Sequence, residues 1–145
     1  MESFRPWFVL RAVPGIGDAL VCRLVQCFGS PDAVLRTPHD ALTRVDGVSL
    51  SLAKAIRQGP GAEDLLAIDR ELKSLERLPV RIVTIVDPDY PVRLKAIHDP
   101  PPVLSMSGAL SEADHHAVAV VGTRHATPSG RLVAEQLSGD LHRRG

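Results

Sequence analysis

The chain has 145 residues, 44% of them apolar, enough for one medium or two small domains with a core of their own. Its 17 cations balance its 17 anions, so no global field draws in nucleic acid, and any polyanion must meet a local patch. No apolar stretch approaches the roughly 18 residues of a membrane span, and no charged start precedes a signal-like core, so a soluble, cytoplasmic protein without a membrane partner is expected.

The first sixty residues read as short helices joined by tight turns. Phe4–Ala12, with Trp7, Phe8 and Leu10, makes a first helix. Val13–Gly17 is a hairpin turn, and Asp18 opens a helix whose apolar positions are Ala19, Leu20, Leu24, Val25 and Phe28, ended by Gly29. Ser30-Pro31 starts a short helix through Val34 and Leu35. A second turn, Val45–Ser49, leads into a helix with Leu52, Ala53 and Ile56. The two turns share a spacing, Leu10-x-x-Val13-x-Gly15-x-Gly17 and Leu42-x-x-Val45-x-Gly47-x-Ser49, which predicts an internal repeat of the helix-hairpin-helix (SAM-like) type. Such hairpins bare backbone amides at a helix start; these grip a DNA phosphate in some proteins and only scaffold contacts in others. Both readings stand here, since Arg11, Arg44, Lys54 and Arg57 lie near while Asp46 in the second hairpin repels phosphate. Cys22 and Cys27, five apart on the second helix, are more than a turn out of step, which suits structural thiols rather than a disulfide or metal pair.

Gln58-Gly-Pro-Gly61 is the expected hinge between modules. Glu63–Leu78 reads as one amphipathic helix with Leu65, Leu66, Ile68, Leu72 and Leu75, acidic at its start and basic later, as the helix dipole favours. Arg81–Val86 is the first strand by its β-branched density. Asp87–Pro91 is a turn, Pro91 opens a short helix through Leu94 and Ile97, Asp99–Pro102 breaks it, and Val103–Met106 is a second strand. The switch of patterning near Pro79 predicts an α+β or α/β chain. Its parts are a helix-hairpin-helix-like domain over 1–60, a connecting helix over 61–79, and the beginning of a Rossmann-like α/β domain over 80–145.

The most informative stretch follows. Val118-Ala-Val-Val121 is apolar on both faces, as a buried parallel strand is. It stops at Gly122, where a backbone can turn sharply and approach a ligand. Thr127 then offers an N-cap hydroxyl, Pro128 fits the first helical position, and Leu132, Val133, Leu137 and Leu141 give the helix from Gly130 to Arg144 an apolar stripe. Strand, glycine turn and helix start together make an anion site, to which Arg124 adds a planar cation suited to phosphate. A dinucleotide fingerprint is excluded because Gly122 is followed by Thr-Arg-His, and a P-loop because no Gly-Lys occurs anywhere. Gly122, Thr123, Arg124, His125 and Thr127 are thus the candidate phosphate-binding residues. His125, inside the turn, suits phosphate contact or base stacking.

Tyr90-Pro91, Leu94, Ile97, Asp99-Pro-Pro101, Val103-Leu104, Gly108, Ala119-Val-Val-Gly-Thr-Arg124, Ala126-Thr-Pro128 and Gly130, in this order, resemble the DNA-processing protein A (DprA/Smf) family. The resemblance is close from Asp87 to Gly145 and looser before it, and Ser129 stands where many members carry an aromatic residue. It implies a single-stranded-DNA-binding recombination mediator that helps load the RecA recombinase during natural transformation, without cofactor and without enzymatic activity. It also implies a longer Rossmann-like domain that completes the DNA pocket and the homodimer surface of the full-length protein, so a truncated chain is expected. Two other classes compete on the residues alone. A Rossmann-like enzyme acting on a nucleotide phosphate would use the same turn, and the N-terminal repeat would serve a duplex-binding module.

No catalytic constellation is evident among the serines Ser105, Ser107 and Ser111. His115-His116 reads as a solvated pair rather than a metal site, Asp87 and Asp89 as turn-capping acids beside proline, and Tyr90 as a ring packed under the sheet.

Overall fold

Helix starts and stops follow local chemistry through the first part of the chain. After a single 3₁₀ turn at Glu2–Phe4, α1 (Arg5–Arg11) has proline in its first turn, where the missing N–H leaves no bond unmade. It buries Trp7, Phe8, Val9 and Leu10 in succession. The second helix, α2 (Asp18–Phe28), is ended by Gly29, whose N–H reaches Val25 O at 2.7 Å. Ser30 Oγ accepts from Ala33 N–H (3.1 Å) and caps α3 (Pro31–Arg36). A four-residue helix α4 (His39–Leu42), too short to show a period in sequence, precedes the second turn. Ser49 Oγ accepts from Leu52 N–H (3.1 Å) at the start of α5 (Leu50–Gln58). At α6 (Ala62–Leu75), the Asp64 carboxylate accepts from Gly61 N–H at 3.2 Å. This helix ends before the expected Leu78, where Arg77 and Leu78 turn back onto Ser74 and Leu75. The computed structural model describes residues 1–111, 114 and 116–144; His115, read with His116 as a pair, lies outside them.

The two expected hairpins have the same geometry. Val13 N–H reaches Leu10 O and Ile16 N–H reaches Val13 O; Val45 N–H reaches Leu42 O and Val48 N–H reaches Val45 O. Gly15 and Gly47 both sit at φ +88°, in the left-handed region. The hairpins also pack reciprocally. A Cβ built on Gly15 would stand 3.5 Å from Leu52 Cδ1, and one on Gly47 would stand 3.7 Å from Leu20 Cδ1. Leu20 and Leu52 occupy the same place in the repeat. Replacing Gly15 or Gly47 by alanine is therefore expected to cost about 1–2 kcal/mol of stability from backbone strain alone. Urea unfolding measures it, and an unchanged midpoint for both variants would contradict the shared turn.

The sheet is small and antiparallel. β1 (Arg81–Thr84) pairs with β2 (Val103–Met106) in the register Arg81↔Met106 to Thr84↔Val103. The first strand stops short of the expected Val86 because the Asp87 carboxylate takes both the Thr84 N–H (2.7 Å) and its hydroxyl (2.9 Å), folding the chain into a turn. A short helix α7 (Val92–Lys95) follows. Three successive proline carbonyls then receive donors from different elements. Pro100 O takes the Cys22 thiol (3.5 Å), Pro101 O the Tyr90 hydroxyl (2.7 Å) and Pro102 O the Ile85 N–H (2.9 Å).

The described chain is α+β and divides into two units, Met1–Gly108 and Ala109–Gly145. Within the first, helix residues such as Leu10, Leu24 and Ile56 share one buried cluster with Ile68, Leu72, Val83, Tyr90 and Val103. The expected hinge at Gln58–Gly61 is thus not where packing divides; apolar side chains on both sides of it enter one core. The Arg5 guanidinium, bonded at 2.8 Å, holds the Asp69 carboxyl below the usual carboxylate range and ties α1 to α6.

The second unit contains α8 (Pro128–Arg144). Val118–Val121, read from sequence as a buried parallel strand, joins no ladder and lies exposed, with Val118 at 64% and Val121 at 89%. The reason is physical: a strand exists only against a neighbour, and the second unit has no other strand among the described residues. The α8 stripe is correspondingly open, with Leu132, Val133 and Leu137 exposed.

Candidate nucleic-acid interface

The start of α8 is built as the sequence suggests. Thr127 Oγ1 accepts from Gly130 N–H at 3.1 Å, Thr127 O accepts from Arg131 N–H at 3.0 Å, and Pro128 occupies the first helical position. The hydroxyl thus satisfies one of the free amides of the helix end and fixes the angle at which the preceding turn arrives. Gly130 also has a part in this. A Cβ there would come within 3.3 Å of Thr127 Oγ1, so the small residue three positions on leaves room for the cap. The sequence signal for it is the Thr-Pro-x-Gly spacing itself.

Gly122, Thr123, Arg124 and His125 run into this cap as an exposed segment, brought together by chain continuity and not by long-range packing. Arg124 forms no salt bridge among the described residues, a state it shares with Arg44, Arg93 and Arg131, whereas Arg5, Arg11, Arg23, Arg36 and Arg81 are each held by an aspartate. A planar cation, a helix N-terminus and accessible backbone therefore lie within one short segment, an arrangement that favours an anion. One expectation is corrected. Gly122 is outside the left-handed region, and an added Cβ would meet nothing within 4 Å. The turn itself does not need glycine at this position; bare backbone there matters only to what approaches it.

The hairpins of the first unit hold part of their positive charge in internal contacts, while Arg44 and Lys54 form no salt bridge among the described residues. Arg11 Nε lies 3.2 Å from Asp18 Oδ1 at the start of α2, and Arg23 Nη1 donates to Asp46 O (2.7 Å) beside Gly47. Arg57 is engaged as well, donating to Leu35 O (2.6 Å) at the end of α3. These contacts spend cations that would otherwise face a phosphate. Among the described residues no cluster of three His, Cys, Asp or Glu side chains offers a metal site, and no helix is long and apolar enough to cross a membrane.

Cys22 and Tyr90 belong to the core. Burial pushes the Tyr90 hydroxyl above its usual range, and burial, with Asp18 and Asp99 nearby, pushes the Cys22 thiol up to about 11. The folded protein keeps the Cys22 proton after an unfolded thiol has lost its own, so this contribution to stability is whole below pH 9 and lost as pH rises toward 11. Cys27 is exposed. A thiol reagent at pH 8 is expected to modify Cys27 rapidly in the native protein and Cys22 only on unfolding. Equal fast labelling of both, read by peptide mass, would contradict the burial of Cys22.

Comparison with known proteins bears on this same region. Residues 81–145 match the model of the family described as DNA recombination-mediator protein A. The chain is 31% identical over 143 residues to Protein Smf of Synechocystis sp., covering 96% of this chain and 35% of that protein. It is 30% identical over 79 residues to DNA processing protein DprA of Bacillus subtilis, covering 54% of this chain and 27% of that protein. The chain thus spans about a third of the length of these curated relatives. The matched residues include β1, β2, the Gly122–Thr127 turn and α8, and through them the chain is similar to the DNA recombination-mediator protein A family and to Smf and DprA.

Proposed function

We propose that the protein acts in DNA processing as a sequence-tolerant binder of single-stranded DNA and a recombination mediator, helping to load RecA during natural transformation. The observation that carries the binding is Arg124, without an ion-pair partner among the described residues, beside the capped N-terminus of α8 in the family-matched segment. The mediator role, the homodimer of the whole protein and a cytoplasmic setting rest on the family resemblance. In this reading Gly122 admits the sugar-phosphate backbone, Arg124 supplies charge, Thr123 and His125 line the approach, and Thr127 holds the helix end toward it. By fold type, residues 1–60 are a helix-hairpin-helix (SAM-like) domain, 61–79 a connecting helix and 80–145 the beginning of a Rossmann-like DNA-binding domain, with β1 and β2 packed into the same core as the hairpins rather than apart from it. No cofactor or catalysis is invoked.

The test is fluorescence anisotropy of a labelled oligo-dT with the whole protein. Affinity is expected to fall with salt, at a log–log slope of about −0.7 per phosphate neutralised. Arg124→Ala is expected to cost about 1–3 kcal/mol, the range of a charge-assisted hydrogen bond. Unchanged affinity in that variant would remove the site. Saturable binding and turnover of a mononucleotide would instead favour the enzyme reading. The matched geometry of the Gly15 and Gly47 turns favours a second reading, in which the hairpins grip duplex DNA. The engagement of Arg11, Arg23 and Arg57 within the protein speaks against it. Duplex affinity above single-strand affinity would reverse that preference.

A further inference from the structure

We draw no further inference here: the strongest candidate, the exposed apolar side chains of Val118–Val121 and of Leu132, Val133 and Leu137 on α8 within the second unit, carries nothing because no feature of the structure shows what covers them.

Discussion

Truncating Leu10 or Leu42 to alanine is expected to destabilise the protein by about 2–5 kcal/mol each, the range for emptying a packed leucine site. Both side chains are fully buried, at 0% exposure, and each opens one copy of the repeated turn. Their carbonyls receive the first hydrogen bond of each hairpin, from Val13 and Val45. The loss therefore combines lost transfer energy, a cavity and a loosened turn, in a fold whose whole stability is only about 5–15 kcal/mol. Urea unfolding followed by circular dichroism reads the change, with Leu66→Ala on the exposed face of α6 as the control. Equal, small effects at all three positions would contradict the core described for the helical repeat.

The second large effect is expected in hydrogen exchange. Amides within α2 and α5, bonded in helices that bury Val21, Leu24, Val25, Ala53 and Ile56, should open only through unfolding of their unit. Those of Val118–Val121 have no ladder partner among the described residues and should exchange close to the rate of an unstructured peptide. The contrast should reach roughly a thousandfold or more, since protection in a core can rise to the global stability. Strong and equal protection at Val118–Val121 in the monomer would show that these residues form a strand after all.

What could be read from the sequence divides along a physical line. The helix starts at Ser30 and Thr127 were legible because a cap is made by residues three apart, and the paired turns because glycine at Gly15 and Gly47 answers a local backbone need. The limits of β1 were not, because they depend on where the Asp87 carboxylate points. Val118–Val121 shows the same limit more sharply: its apolar pattern is that of a buried strand, but pattern cannot supply a neighbour. At the candidate site, the residue types were visible at once. That Arg124 lacks an ion-pair partner among the described residues while Arg11 and Arg23 are engaged follows from tertiary pairing, which no spacing rule predicts.

The reciprocal seating of Leu52 against Gly15 and Leu20 against Gly47 has a consequence for how the helical repeat can vary. Each hairpin lends the other a side chain that packs on its turn, so neither half is expected to fold alone. A peptide ending between α2 and α3 would carry one turn without its leucine and one leucine without its turn. Substitutions at Leu20 and Leu52 should accordingly be tolerated as matched changes in size with the opposite glycine neighbourhood, and a chain break between α2 and α3 should be tolerated only while the two pieces stay associated.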